Sequence, residues 1–400
     1  MTPLLLSDAP AVRMTTLQLD AHVVYITNFI PPHKLPLYCE FNRRVRKLTV
    51  LLSTPMEANR TWDADFDGLD VRMQNTTTLK RPRKHALGFK DHTYVHIPWD
   101  TGKLLKDLQP DVILSAELGF RSLFSARYKR CNGNVPLMYW CGLSEHTERG
   151  KGWHRHLLRK WLIRQADGVM VNGNSGARYL KKLGLAADRV FRIPYTAASQ
   201  FYENGLPTRP EEVAHRLVFV GRQIEVKGVI PFVSALASWG RKNPGRKVEL
   251  HFAGSGPLQP AIEAFPVPPN VQITMLGECN WERLTQVYHN SGIFAFPSMA
   301  DDWGMTVNEA MGSGLPVLGS VYSQGVDEMC IEGETGWRFR TDQPDETEAA
   351  IDRALNTPVE RLNEMRINAR EQVAHLTPEY AADCLTGAIQ RVLTRYRDER

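Results

Sequence analysis

The feature that most constrains the fold of this chain is a regular alternation of short apolar runs with helical patterns. In the first half, these runs are rich in β-branched residues and cover residues 22–29, 47–53, 111–117, 135–141, 167–173 and 190–195. Continuous apolar runs with helices between them are typical of buried parallel strands, because the helices cover both faces of the sheet. The first half therefore predicts an α/β domain built on a parallel sheet.

The alternation stops at a polar, proline-bearing stretch around residues 203–214 and then restarts. The second series of runs covers residues 216–221, 247–254, 271–277, 292–298, 315–320 and 336–340. A single hydrophobic core stops growing at roughly 250–300 residues, so a chain of 400 residues favours two domains. We predict one Rossmann-like domain at residues 1–204 and a second at 205–379, with a C-terminal helix near 380–400 that packs back on the first. Their ligand sites should face each other across a cleft.

Charge is distributed unevenly along the chain, whose formal net charge is +5. Residues 1–205 carry 30 Lys and Arg against 18 Asp and Glu, whereas the remainder carries 19 against 26. Such an imbalance suggests that the first half meets an anionic partner, for which a membrane surface, a phosphorylated molecule and nucleic acid are candidates. Solubility alone is the alternative. Nothing beyond charge favours nucleic acid, so we expect no nucleic-acid partner.

Composition narrows the class of protein further. No apolar run approaches the ~20 residues needed to cross a bilayer, and the N-terminus lacks the basic segment of a signal peptide. The six cysteines form no CxxC pair or His/Cys cluster at metal spacing, which argues against a disulfide framework and a zinc site. We therefore expect a cytoplasmic protein.

Two glycine-bounded turns follow strands of the second half. Residues 218–228 place Gly221, Arg222 and Lys227 at the carboxyl end of a strand, where two cations can clamp a diphosphate. Solvated loop charges are the alternative interpretation. The next strand ends at Gly254 and Gly256, which would let the backbone approach a ligand closely.

The most specific stretch is FPSMADDWGMTVNEAMGSGLPVLGS, residues 296–320. Asp301 and Glu309 stand eight positions apart, on either side of a predicted helix start near Met305 or Thr306. Backbone amides around Gly304 would present the positive end of that helix, which suits a phosphate. The alternative is that Asp301 and Asp302 only complement the helix N-terminus.

This stretch resembles the Glu-x7-Glu signature of the large family of retaining GT-B glycosyltransferases commonly numbered family 4. The segments GRQIEVKG, LHFAGSGPL, 275–298, 325–337 and 166–202 resemble further motifs of that family in the same order. The resemblance implies two Rossmann-like domains, a nucleotide-diphosphate sugar donor bound by the second, and a glycan or lipid-linked acceptor bound by the first. It also implies a role in envelope or exopolysaccharide assembly.

By this resemblance, Arg222 and Lys227 hold the donor diphosphate, Glu309 the ribose and Asp301 the transferred sugar. The chain departs from the family at Asp301, where a glutamate is usual, and Asp302 is a fallback at the wrong spacing. A catalytically silent nucleotide- or glycan-binding partner and a nucleotide-sugar epimerase of the same fold remain alternatives.

In the first half, His146 follows a strand at the position where the family often carries a histidine facing the donor sugar, with Glu145 beside it. The usual Gly-Gly loop after the first strand is absent, and a proline-rich loop with His33 and Lys34 replaces it. Glu117 ends another strand at the same cleft edge. We expect His146 to be catalytic, and His33, Lys34, Glu117 and Glu145 to contact the acceptor.

Two basic segments of the first half suggest peripheral contact with an anionic membrane on its inner, cytoplasmic face. Residues 149–165 carry apolar positions at helical spacing, namely Trp153, Leu157, Leu158, Trp161 and Leu162, interleaved with Arg155, Arg159, Lys160 and Arg164. Residues 79–90 add further cations. A core-facing helix with a solvated basic face is the alternative.

One competing signal is the stretch WDADFDGLD, residues 62–70, whose Asp-x-Asp pattern holds a divalent metal in a different glycosyltransferase fold. It lies far along the chain from the donor motifs, so a solvated loop is the favoured interpretation. We predict metal-independent catalysis without a cofactor.

Overall fold

A computed structural model describes residues 18–398 apart from 58–65, 67, 87, 134, 199, 204 and 206–209. The Asp-x-Asp residues Asp63, Asp65 and Asp67 lie outside the described residues. Strands within the described residues are β1 Leu19–Thr27, β2 Val45–Leu52, β3 Asp70–Met73, β4 Thr76–Lys84, β5 Lys90–Pro98, β6 Val112–Ala116, β7 Leu137–Cys141, β8 Gly168–Val171, β9 Val190–Arg192, β10 Arg216–Val220, β11 Val248–Ala253, β12 Val271–Gly277, β13 Ile293–Phe296, β14 Val317–Ser320 and β15 Gly336–Phe339.

Helices cover both faces of the strands. They are α1 Leu35–Asn42, α2 Thr101–Leu108, α3 Phe120–Asn132, α4 Glu145–Glu148, α5 Trp153–Gln165, α6 Asn174–Lys182, α7 Gln200–Glu203, α8 Pro210–Val213, α9 Val229–Lys242, α10 Gln259–Glu263, α11 Trp281–His289, α12 Met305–Gly312, α13 Gln324–Met329, α14 Pro344–Leu355, α15 Val359–Val373 and α16 Pro378–Asp398. No described helix is both long and apolar enough to cross a membrane.

The strands form two parallel sheets, each the centre of a domain. The first sheet has the order β3-β2-β1-β6-β7-β8-β9 and the second β12-β11-β10-β13-β14-β15. Their pairings are parallel throughout, which confirms the predicted α/β class. The chain order reverses beside β1 in the first sheet and beside β10 in the second. These switch points open crevices at the carboxyl ends of the strands, where ligands of such sheets bind.

Residues 70–98 form strands that the apolar pattern did not predict. β3 extends the edge of the first sheet, and β4 and β5 make an antiparallel hairpin that pairs Leu79 with Val95. The described side chains of β4 are mostly exposed, and the hairpin lacks the continuous apolar run by which buried strands are identified. In the sequence, its cations indicate a basic segment and not a strand.

The last helix, α16, packs on the first domain after α15 has packed on the second. Its apolar face, including Leu385, Ile389 and Val392, joins the core beneath β1 and α1. Arg44 Nε donates to Asp383 Oδ1 at 2.7 Å, which adds a partly buried ion pair to this contact. The chain therefore crosses between the domains twice, once before β10 and once before α16.

Candidate functional site

A cleft of about 320 Å³ lies between the domains at the carboxyl ends of their strands. Residues of β1, β6 and β7 and of the loops after them form one wall, and the loop between β13 and α12 forms the other. The predicted site residues that line it are His33, Lys34, Glu117, Asp301, Asp302, Gly304 and Met305. The tertiary fold thus brings residues from both halves of the chain into one site.

The second-domain wall is an acidic loop paired with a lysine. Lys227, at the end of the short 3-10 turn Glu225–Lys227, forms an ion pair with Asp301. The other carboxylate oxygen of Asp301 accepts from the backbone N–H of Trp303 at 3.3 Å. The cation assigned to the diphosphate and the carboxylate assigned to the sugar are therefore direct neighbours.

Gly304 ends this acidic loop and begins α12. Its φ of 93° lies in the left-handed region, and a Cβ there would approach the Phe296 ring to 2.7 Å, so glycine is required on both counts. Met305 then begins the helix at the cleft wall, while Thr306 is half-buried and does not line the cleft. The positive end of α12 is therefore presented to the cleft.

Glu309 lies one turn into α12 and is buried outside the cleft lining. Burial raises the pKa of its carboxyl to about 7, although a hydrogen bond from the Tyr288 hydroxyl at 3.1 Å acts in the opposite direction. A carboxylate can accept several hydrogen bonds, and Glu309 could therefore also accept from the ribose hydroxyls for which it is predicted.

Two glycines of the donor turns, Gly254 and Gly256, are also required by packing. A Cβ on Gly254 would lie 2.4 Å from the Gly221 carbonyl oxygen, and one on Gly256 would lie 2.5 Å from the Gln223 carbonyl oxygen. These glycines allow the turns after β10 and β11 to pack against each other. Their predicted contact with the donor stays a prediction. Arg222 projects from the packed turns with an exposed side chain.

On the first-domain wall, Lys34 is enclosed by aromatic rings. Its Nζ lies 4.9 Å from the centre of the Tyr195 ring and 5.2 Å from that of Trp140, within cation–π range. Desolvation lowers the pKa of the Lys34 ammonium, while Glu117 and Asp302 act to raise it. The lysine still has some surface within the cleft, so its charge is available to a bound ligand.

Glu117 and Asp302 meet at Gly142, across the domain boundary. Glu117 has a left-handed φ of 63°, a strained conformation for this residue type, and its Oε1 accepts from the Gly142 N–H at 3.1 Å. A Cβ on Gly142 would lie 2.5 Å from Asp302 Oδ2. Enclosure by protein, then the charges of Asp301 and Glu117, raise the pKa of Asp302 to about 6, although Lys34 opposes the shift.

His146 and Glu145 lie outside this cleft lining. Glu145 accepts from Arg178 at 2.8 Å and from Lys182 at 2.5 Å; burial alone would raise its pKa, but these bonds hold it below the ordinary value. The His146 ring lies 5.1 Å from that of Tyr322, and burial lowers its pKa. The structure thus gives Glu145 ion-pair partners on α6, and its predicted contact with the acceptor stays a prediction.

Several cleft residues had no sequence signal of their own. The aromatic side chains of Tyr25, Tyr38, Trp140 and Tyr195 line the first-domain wall, and Arg121 donates to Asn28 beside them. Tyr25 and Trp140 occupy strands that read only as apolar runs. Their position near strand carboxyl ends is the signal that would have identified them. No cluster of three or more metal-ligating side chains occurs among the described residues.

Known proteins resemble both halves of the chain. Residues 9–196 match the profile of the glycosyl transferase 4-like domain, and residues 208–372 match that of glycosyl transferases group 1. The chain is 25% identical to alpha-D-kanosaminyltransferase of Streptomyces kanamyceticus, over 60% of this chain and 62% of that protein. It is 29% identical to D-inositol 3-phosphate glycosyltransferase of Nocardia farcinica, over 62% and 57% respectively. These alignments span about six tenths of the relatives' lengths.

Solved structures share the fold over most of the chain. A lipopolysaccharide outer core galactosyltransferase, WaaB, superposes with a TM-score of 0.69 at 14% identity, covering 92% of this chain and 99% of that one. HepE of Anabaena, solved with UDP and glucose, gives 0.68 at 14% identity, covering 93% and 100%. With two profile matches that together span nearly the whole chain, and with this shared architecture, the chain belongs to the glycosyl transferases group 1 family and has the GT-B fold.

Proposed function

We propose that this protein is a retaining, metal-independent glycosyltransferase that moves a hexose from a nucleotide-diphosphate sugar to a glycan or lipid-linked acceptor. The observation that carries the proposal is that the Asp301–Asp302 loop, which is paired with Lys227, and the start of α12 form one wall of an interdomain cleft. The family and the UDP-bound structures with the same fold support a nucleotide-sugar donor. A role in envelope or exopolysaccharide assembly is part of the proposal.

The second domain is suited to the step in which the nucleotide diphosphate leaves the donor sugar. Negative charge develops on the leaving phosphate, and groups already oriented towards it stabilise the transition state most. Lys227, the exposed Arg222 and the amides at the start of α12 are the cationic and dipolar groups available there. Donor binding would draw Lys227 from Asp301 to phosphate and leave the Asp301 carboxylate to accept from sugar hydroxyls.

The acceptor would bind against the first-domain wall of the cleft. Aromatic side chains of Tyr25, Trp140 and Tyr195 offer apolar faces, and Lys34, Glu117 and His33 offer polar groups. We assign deprotonation of the acceptor hydroxyl to the departing phosphate on the same face of the sugar, which yields retention. His146, whose ring lies against Tyr322 of the second domain, remains a predicted catalytic residue.

Donor binding and turnover test this proposal. We would screen nucleotide-diphosphate sugars, with UDP-glucose first, for thermal stabilisation of the wild type, Arg222→Ala and the exposed-lysine control Lys247→Ala. A ligand at 100 times its dissociation constant stabilises by about 2.7 kcal/mol. Stabilisation of the wild type and control but not of Arg222→Ala supports the diphosphate site. No stabilisation by any donor would contradict the proposal.

Product analysis separates the alternatives. A transferase slowly hydrolyses its donor even without acceptor, releasing free sugar with its anomeric configuration retained. A catalytically silent partner binds the donor without consuming it, and an epimerase converts it to an epimeric nucleotide sugar. Nuclear magnetic resonance of the anomeric proton during the reaction distinguishes all three outcomes.

Peripheral contact with an anionic membrane is the second part of the proposal. The structure brings the two basic segments together, because His85 at the hairpin tip contacts the backbone oxygen of His146, shortly before α5. The start of α5 exposes Trp153 (68%), Leu157 (54%) and Leu158 (40%). Trp161 and Leu162 instead pack towards the core, and Arg159 is buried in an ion pair with Glu148. The exposed surface is therefore the first half of α5 and the hairpin, which is smaller than the sequence pattern suggested.

Lipid co-sedimentation tests this contact. We expect binding to vesicles containing phosphatidylglycerol, weaker binding at high salt, and little binding to phosphatidylcholine alone. Trp153→Ala combined with Leu157→Ser should weaken binding, whereas Trp281→Ala, an exposed tryptophan of the second domain, should not. Equal binding to both lipids, or none, would contradict the membrane contact and the location at the inner face of the plasma membrane.

A further inference from the structure

Helix α6 of the first domain begins without a cap from its own sequence. Its N-cap residue is Gly173, which has no side chain to accept from the first N–H groups. The acceptors come from α13 of the second domain: Glu328 Oε1 accepts from the Asn174 N–H, and Gln324 Oε1 accepts from the Gly176 N–H at 2.7 Å. One domain therefore caps a helix of the other.

The second contact of Gln324 reaches the acidic loop of the cleft. Its Nε2 donates to the Asp302 carbonyl oxygen at 2.7 Å and lies 3.5 Å from that of Leu143, just after β7. The Gln324 side chain is fully buried, and its bonds to Gly176 and Leu143 are shielded from water. Gln324 thus joins the start of α6 to the backbone that positions Asp301 and Asp302.

Further polar contacts between complementary groups surround the cap. Glu328 Oε2 accepts from Asn174 Nδ2 at 2.8 Å, and Arg192 donates to Asn174 Oδ1 at 2.9 Å. Arg178 on α6 lies 3.6 Å from Asp327 on α13. Close approach also depends on Gly173, because a Cβ there would lie 2.9 Å from Glu328 Oε1 and 3.0 Å from Gln324.

We propose that Gln324 and Glu328 are positioning residues, which close the two domains by capping α6 and thereby hold the Asp301–Asp302 loop over the cleft. This inference rests on the proposed transferase function. Water can satisfy the N–H groups of α6 when the domains separate, so the cap favours closure by the modest difference between protein and water hydrogen bonds. The domains must open again in each turnover, so the free-energy preference for the closed state has to be small.

The principal test compares Glu328→Ala with Glu332→Ala, whose ion pair with Arg353 stays within the second domain. Small-angle X-ray scattering of the full chain, with and without UDP, reports the separation of the domains. We expect Glu328→Ala to increase the radius of gyration and to lower kcat about tenfold, since charged hydrogen bonds are lost. The donor KM should change little, because the donor site itself is intact. Glu332→Ala should match the wild type in all three measurements.

Gln324→Ala should open the domains in the same way as Glu328→Ala, but it empties a buried position. Two further variants keep the test decisive if it fails to fold. Glu328→Gln retains the length and one acceptor oxygen, so it should recover most of the closure and of kcat. Gly173→Ala leaves every polar group in place but inserts a methyl group where Glu328 and Gln324 approach. We expect it to open the domains as Glu328→Ala does.

The outcomes distinguish this inference from the proposed function. A radius of gyration and kcat equal to the wild type in both Glu328→Ala and Gly173→Ala would overturn the positioning role while leaving the transferase intact. Domain opening without loss of kcat would also overturn it. If Glu328→Ala and Gly173→Ala open the domains but the wild type turns over no nucleotide sugar, the proposed function is wrong and the interdomain cap still stands.

Discussion

Each domain contributes one lysine to the predicted site, and the surroundings of the two lysines differ. Lys227 of the second domain pairs directly with Asp301. Lys34 of the first domain lies between the rings of Tyr195 and Trp140, and the carboxylates of Glu117 and Asp302 act on it through their charge. One cation is neutralised by a contact ion pair, and the other is held by aromatic faces and a nearby acidic pair.

The difference indicates how each lysine can take part in binding. A phosphate can replace Asp301 as the partner of Lys227, because one ion pair is exchanged for another. Lys34 lies between the Tyr195 and Trp140 rings, and from there its charge acts on the cleft and on Asp302. We therefore expect Lys227 to act on the leaving group, and Lys34 to set the electrostatic potential in which Asp302 titrates.

The largest expected effect is that of Lys227→Ala. Removal of a group that stabilises developing charge on the leaving phosphate should lower kcat about 10²–10³-fold. The exposed lysine variant Lys247→Ala is the control, and steady-state donor hydrolysis is the measurement. A loss confined to KM would show that Lys227 binds the donor equally in ground and transition states.

Lys34→Met should have a smaller effect with a distinct pH signature. Loss of the cation–π contacts and of a cation near the acceptor should lower kcat/KM for the acceptor about tenfold. Lys34 holds down the pKa of Asp302, so its removal should raise that pKa above about 6 and move the acidic limb of the pH–rate profile to higher pH. An unshifted limb would show that Asp302 does not control it.

Asp302→Asn tests the same acidic pair through stability. The pKa of Asp302 is raised from 3.8 to about 6, so between these values the folded protein retains a proton that the unfolded chain has lost. The free energy of unfolding therefore falls as pH rises through this window, and the loss is complete above it. We expect Asp302→Asn to gain about 1–2 kcal/mol at pH 8, allowing for solvent screening, and less at pH 5. Urea denaturation at both pH values measures the difference.

The smallest expected effect is that of Glu145→Ala. Its ion pairs with Arg178 and Lys182 are largely at the surface, so the free energy of unfolding should fall by less than about 1 kcal/mol. kcat and the acceptor KM should match the wild type within error. A raised acceptor KM would support the acceptor contact that the sequence predicts for this residue.

The second-domain site was more predictable than the first-domain wall. Arg222, Lys227, Asp301 and Glu309 lie in short segments with glycines at fixed offsets, so local sequence carries the signal. Trp140 and Tyr195 contribute to the cleft through strands and loops far apart in the chain, and each reads locally as an ordinary apolar position. The hairpin β4–β5 is not predictable in the same way, because it carries no continuous apolar run.

By itself, the sequence determined two α/β domains, the positions of their buried strands and the polar turns that follow those strands, because hydrophobic periodicity and glycine placement are local properties. Only the tertiary structure decided that Asp301 pairs with Lys227, that Asp302 meets Glu117 at Gly142, and that Gln324 and Glu328 cap α6. These contacts join residues tens to hundreds of positions apart. They depend on how two rigid sheets approach each other, which no local pattern encodes.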